Sequence, residues 1–191
     1  MAVALANHLV MGPLILARAG LTLSDVHTVN VGYGLLPAIV GGRAQAMLGG
    51  FSNVEGVDLR LRGKDPIVTP VDELGVPTYD ELVLVAKRDR LEEDPEAIRL
   101  FLAALARGTA AAKENPNAAA KALLEANRDL DPKLTEAELA ATLPLLSLRG
   151  AMNKGEWSRF IAWMHDNGLI SASPAATEAL TDAYLPGGAA E

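Results

Sequence analysis

The sequence predicts an α/β protein, with alternating helices and strands in its first part and a mainly helical second part. In residues 1–75, helical apolar segments alternate with short apolar runs bounded by glycine, which is typical of a mostly parallel sheet covered by helices. In residues 76–191, capping residues and prolines mark one helix after another behind a single strand-like run. With 191 residues, half of them hydrophobic, the chain is long enough for one compact domain or two small lobes.

The first part begins with an apolar segment that is hydrophobic nearly all round, as in a buried helix, and Gly20 ends it. The strand predictions rest on alternation or on short runs of small apolar residues. The predicted elements are a helix over 5–19, a turn over 21–25, a strand over 26–32, a helix over 34–42, a strand over 44–50, a loop with a short helix over 51–62 and a strand over 67–73.

The second part opens with an extended connection, because Pro77 biases Val76 away from the helical region. Asp94-Pro95 and Asn115-Pro116 each place a capping side chain before a proline that suits the first helical position. The predicted elements are a strand over 81–87 and helices over 95–114 and 116–127, from Thr135 (a capping box with Glu138), over 155–167, and from Ser173-Pro174 to Pro186-Gly187.

Composition excludes several classes of function. The net charge is −7 and no Lys/Arg cluster is present, so a nucleic-acid surface is not expected. Cysteine is absent, which removes disulfides, thiol nucleophiles and cysteine–zinc sites. Three histidines, His8, His27 and His165, leave little material for an all-protein transition-metal site. We therefore assign no catalytic residue, no metal and no cofactor.

Residues 1–17 fit neither a signal peptide nor a membrane helix. No basic residue precedes the apolar run, and Asn7, His8 and Gly12-Pro13 interrupt it. The abrupt apolar start suggests that further chain precedes it. The single strand predicted over 81–87 also suggests that further chain precedes the segment. One strand cannot form a sheet, and the predicted helices around it need a sheet to pack against.

Several segments, in order and at matching spacing, resemble the substrate-binding proteins of ABC importers. The closest branch binds thiamine pyrimidine precursors and is related to the fungal thiamine-pyrimidine synthases. The resembling segments are AGLTLSDVHTVNVG (19–32), LLPAIVGGRAQAMLGGFSNVEG (35–56), ELGVPTYDELVLVAKRD (73–89), IRLFLAALARGTAAAKENPNAA (98–119), MNKGEWSRFIAWMHDNGLI (152–170) and TDAYLP (181–186).

The resemblance implies a two-lobe, type II periplasmic-binding-protein fold that is incomplete here. Residues 1–75 would be the second lobe without its first strand, and residues 76–191 a hinge strand with a helical return to the first lobe. The sequence departs from the family at Gln45, where an Asp is frequent. We also expect Gly32 and Gly50 to lie at the same edge of one sheet.

The function implied is that of a solute receptor, which binds a small heteroaromatic ligand such as a thiamine pyrimidine precursor and delivers it to an ABC permease. The full-length form would be a periplasmic or extracytoplasmic lipoprotein. Riboflavin, nitrate, sulfonate and taurine remain possible ligands, although no basic cluster lies near GGFSNVEG to suit a doubly anionic one.

Three other functions stay open. One is an enzyme of thiamine-pyrimidine synthesis, although the fungal enzymes use a histidine donor and a cysteine-rich iron site and this chain has no cysteine. Another is the sensor domain of a transcription regulator, although no helix-turn-helix precedes the domain. The last is a fragment without a function of its own.

Ligands of open α/β sheets bind beyond the carboxyl ends of the strands. The predicted strand that ends at Gly49-Gly50 is followed by Phe51, Asn53 and Glu55. The Glu55 carboxylate suits the edge of an aminopyrimidine, and the resemblance points to the same residue; its alternative role is to cap or solvate the loop. Asn53 could hydrogen-bond the ligand or only form a turn, and Phe51 could stack on a flat ring or belong to the core.

Two tyrosines complete the candidate site. Tyr33 follows the strand that ends at Gly32, and Tyr79 lies in the predicted hinge; each could line the cleft or simply pack. Asp80 and Glu81 are not expected to form a catalytic pair, because neighbours on a strand point to opposite faces.

Two further expectations concern packing. Trp157 and Trp163 lie six positions apart on a predicted helix. We expect Trp157 to belong to the core and Trp163 to be half-exposed. The unpaired edge of the strand around 82–86 predicts self-association.

Overall fold

The computed structural model describes residues 1–3 and 8–187. The chain forms two compact units, Met1–Val76 and Pro77–Glu191. The sequence places the division one residue earlier, between residues 75 and 76.

The described part of the first unit contains a small parallel sheet. Its strands are β1 (Ala2–Val3), β2 (Val29–Asn30) and β3 (Met47–Leu48), in the order β2-β1-β3. Ala2 pairs with Val29 on one side and with Met47 on the other. Because the strands are parallel, the residues that follow β2 and β3 leave the sheet at the same edge. Gly32 and Gly50 both lie just beyond that edge, which confirms the prediction for these two glycines.

Helices of the first unit occur where the apolar periodicity predicts them. They are α1 (His8–Arg18), α2 (Leu35–Val40) and α3 (Glu55–Leu61), with a 3-10 turn over Leu23–Asp25. The predicted start of the first helix at Leu5 lies outside the described residues. A small core of Leu35, Ala38 and Ala44 forms where α2 turns back toward β3, and Met47 packs against it.

Two strand assignments in the first unit need correction. The sequence predicts a helix over 5–19 and no strand before it, but Ala2–Val3 forms the central strand; a strand of two residues is too short to show alternation in the sequence. The predicted strand over 67–73 is wrong, since 64–70 have no regular structure and 71–75 form a turn. Pro66 and Pro70 cannot donate to a strand ladder, which disfavours pairing of this segment.

The described part of the second unit is helical. Its helices are α4 (Arg88–Glu93), α5 (Pro95–Glu114), α6 (Pro116–Ala126), α7 (Pro132–Thr142), α8 (Lys154–Asp166) and α9 (Ala176–Ala179), with a 3-10 turn over Leu143–Leu145. No helix in the described chain is both long enough and apolar enough to span a membrane.

Three of these helices begin with a capping side chain followed by proline. The side chains of Asp94, Asn115 and Asp131 each accept the backbone N–H of the residue three positions on, at 2.8–3.1 Å. The starts of α5 and α6 are therefore as predicted. The start predicted at Thr135 is wrong: Asp131-Pro132 begins α7 one turn earlier, and Thr135 is buried inside it.

The strand predicted over 81–87 is also wrong. The segment is exposed and irregular, and its Glu81–Leu82 peptide bond is cis. A strand exists only through bonds to a neighbouring strand. In the described chain no hydrogen bond joins the backbone of Leu82–Ala86 to any partner. Among the described residues after Asn167, only Ala176–Ala179 is helical, instead of the longer helix predicted from Ser173-Pro174 to Pro186-Gly187.

Candidate functional site

The loop between β3 and α3 carries three of the predicted ligand-binding residues. Gly49 has φ 91°, a left-handed conformation that favours glycine, and it turns the chain out of the sheet. The backbone carbonyl of Phe51 then accepts the N–H groups of Val54 and Gly56, at 3.2 and 3.1 Å. This turn leads into α3, whose first residue is Glu55.

The Glu55 side chain folds back over this turn. Its Oε2 accepts the backbone N–H of Phe51 at 2.8 Å. The predicted alternative role of Glu55, closing its own loop, is therefore present in the structure. A carboxylate offers about four lone-pair positions, so this bond leaves acceptor capacity for a ligand and fixes the orientation of the group.

The other residues of this edge differ in exposure. Phe51 is exposed, so its prediction as a possible core residue is wrong, and its ring is open to stacking. Asn53 is half-buried and takes part in an interaction of its own. Tyr33 is exposed in the loop after β2, next to Gly32, which has φ 54°. The parallel sheet thus directs Tyr33 and the loop over 51–55 to the same edge.

Tyr79 belongs to the second unit, whereas the other four candidates belong to the first. Its ring stacks on that of Phe160, with the centroids 4.5 Å apart and the planes 13° apart. Burial raises the pKa of the Tyr79 hydroxyl above its usual value, and the nearby Glu81 carboxylate raises it further. Packing, the predicted alternative role of Tyr79, is observed in the structure.

Phe160 is the centre of an aromatic cluster made of Tyr79, Trp157, Phe160 and Trp163. Trp157 meets the Phe160 ring edge-on at 6.2 Å, and Trp163 stacks on it at 6.0 Å. The Trp157 indole N–H also donates to Asp80 Oδ2 at 2.6 Å. Both tryptophans are half-buried, so Trp157 is not the core residue that was predicted.

The sequence does contain a signal for this cluster. Phe160 lies three residues from each tryptophan along α8, and side chains three positions apart on a helix are neighbours. The six-residue spacing of the two tryptophans does not by itself indicate the cluster, because Phe160 lies between them.

Two open depressions lie elsewhere, both in the second unit. One of about 310 Å³ is lined by Asn117, Lys121, Glu125 and Glu136, among others, and one of about 250 Å³ by Arg149, Asp182 and their neighbours. Neither is lined by a predicted site residue. Within the described residues, no three His, Asp or Glu side chains are grouped in a way that could hold a metal ion.

Comparison with known proteins gives the family. A family model described as NMT1/THI5 like matches residues 8–119, more than half of the chain and including all five candidate residues. The chain belongs to the NMT1/THI5-like family. This family has a periplasmic-binding-protein-like fold, and the described part of the chain contributes mostly helices and few strands to it.

Two curated relatives are about one-third identical to the chain over the aligned residues. A protein named "Formylaminopyrimidine-binding protein" from Halalkalibacterium halodurans is 35% identical over 159 residues, which are 78% of this chain and 48% of that protein. A "Putative thiamine biosynthesis protein" from Haemophilus influenzae is 30% identical over 161 residues, 83% of this chain and 51% of the relative. The chain therefore spans about half the length of the curated relatives it matches.

Proposed function

We propose that the chain binds a thiamine pyrimidine precursor as part of the solute-binding component of an ABC importer. The family membership and the similarity to a formylaminopyrimidine-binding protein support a binding role for an aminopyrimidine. The main structural support for a ligand contact is the Glu55 carboxylate, which accepts the Phe51 N–H at the carboxyl edge of the parallel sheet.

The chemistry of this edge fits a flat, polar heterocycle. An aminopyrimidine presents an exocyclic amine beside a ring nitrogen, and a carboxylate can accept two adjacent N–H donors. If the ring nitrogen is protonated, the pair becomes charge-assisted and about twice as strong as a neutral bond. In the proposed complex Phe51 and Tyr33 offer rings for stacking, and Asn53 offers one donor and one acceptor position.

The proposal also includes the location of the protein and its partner. As a receptor it would work outside the cytoplasmic membrane and present its ligand-bound form to a membrane-embedded permease.

Calorimetric titration of the purified chain with formylaminopyrimidine tests the proposal. We expect wild type to bind and Glu55→Gln to bind about ten- to a hundredfold more weakly, since losing a charge-assisted bond costs about 1.5–3 kcal/mol. Glutamine keeps an amide oxygen for the Phe51 N–H, so the loop retains its internal bond. Glu73→Gln is the matched control, because Glu73 is an exposed glutamate of the same unit.

The outcomes separate the alternatives. Equal affinities for wild type and Glu55→Gln would contradict the role of Glu55. Binding of a flavin or a sulfonate but not of the pyrimidine would retain a receptor and discard this ligand. Mass spectrometry of the recovered ligand adds a check: an unchanged ligand supports a receptor, and a converted one favours the enzyme of thiamine-pyrimidine synthesis.

A further inference from the structure

The turn that carries Tyr33 is held by a side chain of the strand before it. Asn30 is the last residue of β2, and its backbone is fixed by pairing with Val3 of the central strand. Its side-chain Oδ1 accepts the backbone N–H of Gly32 at 3.0 Å. An asparagine that bonds the backbone two residues further on closes a local turn. The Asn30 side chain therefore bends the chain immediately before Tyr33.

A second bond closes the turn on the other side of Tyr33. The N–H of Gly34 donates to the carbonyl of Val31 at 2.9 Å. Gly32 has φ 54°, whereas the φ of Tyr33 is negative, which is the combination of a type II′ turn. A Cβ at position 32 would meet no atom within 4 Å, so glycine serves this turn through its φ and not through its small size.

The position of the Tyr33 ring depends on this turn. Within the described chain Tyr33 is 93% exposed, so its place is set by the backbone that carries it. Just beyond the turn, Leu35 begins α2 and is buried in the core. The stretch over 30–35 is thus anchored in the sheet at one end and in the core at the other. Without the Asn30 bond, the part between these anchors would be less constrained.

We propose that Asn30 is a positioning residue for ligand binding, which acts through the Gly32 N–H on the placement of the Tyr33 ring. The inference rests on the proposed function, in which this ring stacks on a flat heterocycle. A turn that adopts the binding conformation for only part of the time lowers the apparent affinity by that fraction. The Asn30 bond therefore contributes to affinity only while a ring is present at position 33.

Substitutions of Asn30 separate its acceptor oxygen from the rest of the side chain. Asn30→Ala removes the acceptor and should weaken the binding of formylaminopyrimidine about fivefold, as expected for one hydrogen bond of ordinary strength. Asn30→Asp keeps an oxygen for the Gly32 N–H and should bind within about twofold of wild type. An equal loss in both variants would indicate that the amide group itself contacts the ligand and would overturn the positioning role.

A double-mutant cycle with Tyr33, measured by calorimetric titration, is the decisive experiment. Tyr33→Ala should weaken binding roughly tenfold through lost stacking. Adding Asn30→Ala to Tyr33→Ala should then change the affinity by less than about twofold, because no ring is left to place. Tyr33→Phe keeps a ring and should retain the full dependence on Asn30. A full fivefold effect of Asn30→Ala in the absence of the ring would overturn the inference.

Two glycines provide a matched pair of backbone variants. Gly32→Ala and Gly20→Ala each introduce a Cβ in open space at a positive φ, of 54° and 70°. Both should therefore lower the melting temperature to a similar extent. Only Gly32→Ala should also weaken ligand binding, by about fivefold or more, because it alone alters the turn before Tyr33. Equal affinities for the two variants would contradict the inference.

Hydrogen exchange at the Gly32 amide tests the bond without any ligand. Exchange should be several-fold faster in Asn30→Ala than in wild type, and Asn30→Asp should retain the protection. Unchanged exchange in Asn30→Ala would overturn the inference whatever the ligand. A wild-type chain that does not bind the pyrimidine would contradict the proposed function and this inference with it. Binding without coupling between Asn30 and Tyr33 would contradict this inference alone.

Discussion

Replacement of Phe160 by alanine tests whether the aromatic cluster holds the second unit together. Phe160 is 7% exposed and contacts three other rings. Truncating a buried phenylalanine to alanine costs about 3–5 kcal/mol from lost burial and the remaining cavity. Since small domains are stable by only about 5–15 kcal/mol, the variant should be left near the margin of stability.

A second substitution separates the stability contributed by the ring–ring contacts from that contributed by the buried volume of Phe160. Phe160→Leu keeps most of the buried apolar volume but removes the ring–ring interactions, each worth about 0.5–1.5 kcal/mol. The Tyr79 pair, at 4.5 Å, lies at the close end of the favourable range, and the two tryptophan pairs lie nearer its outer limit. We therefore expect Phe160→Leu to cost about 1.5–2 kcal/mol, clearly less than Phe160→Ala.

Urea unfolding followed by tryptophan fluorescence is the appropriate assay, because the chain's two tryptophans, Trp157 and Trp163, both contact Phe160. With a typical urea dependence of about 1–3 kcal/mol per molar, Phe160→Ala should lower the midpoint by about 2 M. Phe101→Ala, at a ring that is 57% exposed, is the matched control and should change the midpoint little. Equal midpoints for these two alanine variants would refute the reasoning.

Two further predictions concern the same unit. Replacing the capping residue Asp94, Asn115 or Asp131 by alanine should each cost about 1 kcal/mol of unfolding free energy, measured by circular dichroism in urea, while Glu114→Ala should change it little. The pKa of Tyr79 is raised in the folded state, so its contribution to stability is present below the unfolded tyrosine pKa of about 10 and is lost as the pH rises through the folded value. Tyr79→Phe should flatten the fall of stability in this alkaline range, and an unchanged pH profile would contradict the assignment.

Helix starts were the best predicted part of the fold, because the signals that set them are local. Asp94-Pro95 and Asn115-Pro116 combine a capping oxygen with a residue that needs no hydrogen-bond partner at the first helical position. The same signal is present at Asp131-Pro132, whereas the capping box at Thr135 predicts a start one turn too late. A proline that follows a capping residue therefore marked the helix start better than the capping box did.

Strands were predicted less well, because a strand depends on partners distant in sequence. The runs over 67–73 and 81–87 have strand-like composition, yet neither pairs with another strand within residues 1–3 and 8–187. Ala2–Val3 has almost no local signal and still becomes the central strand, through pairing with β2 and β3.

In the candidate site, too, features set by local sequence were predictable, and contacts that depend on the folded chain were not. The glycines at the ends of β2 and β3 indicated which edge of the sheet carries the loops, and Glu55 lies on one of them. The bond from the Phe51 N–H to Glu55 could not be read from the sequence, because it depends on the conformation of the intervening turn. The packing of Tyr79 on Phe160 joins residues 81 positions apart, which no local pattern specifies.

The junction at Asn115 limits where the chain can gain or lose residues. Asn115 ends α5 and begins α6, so no loop separates the two helices. One inserted residue within either helix would turn everything beyond it by about 100° about the helix axis, because a helix has about 3.6 residues per turn. The 64–70 stretch, which is irregular and mostly exposed, can absorb extra residues without such a rotation. Insertions and deletions among relatives should therefore collect in that stretch and be absent from the helix pair around Asn115.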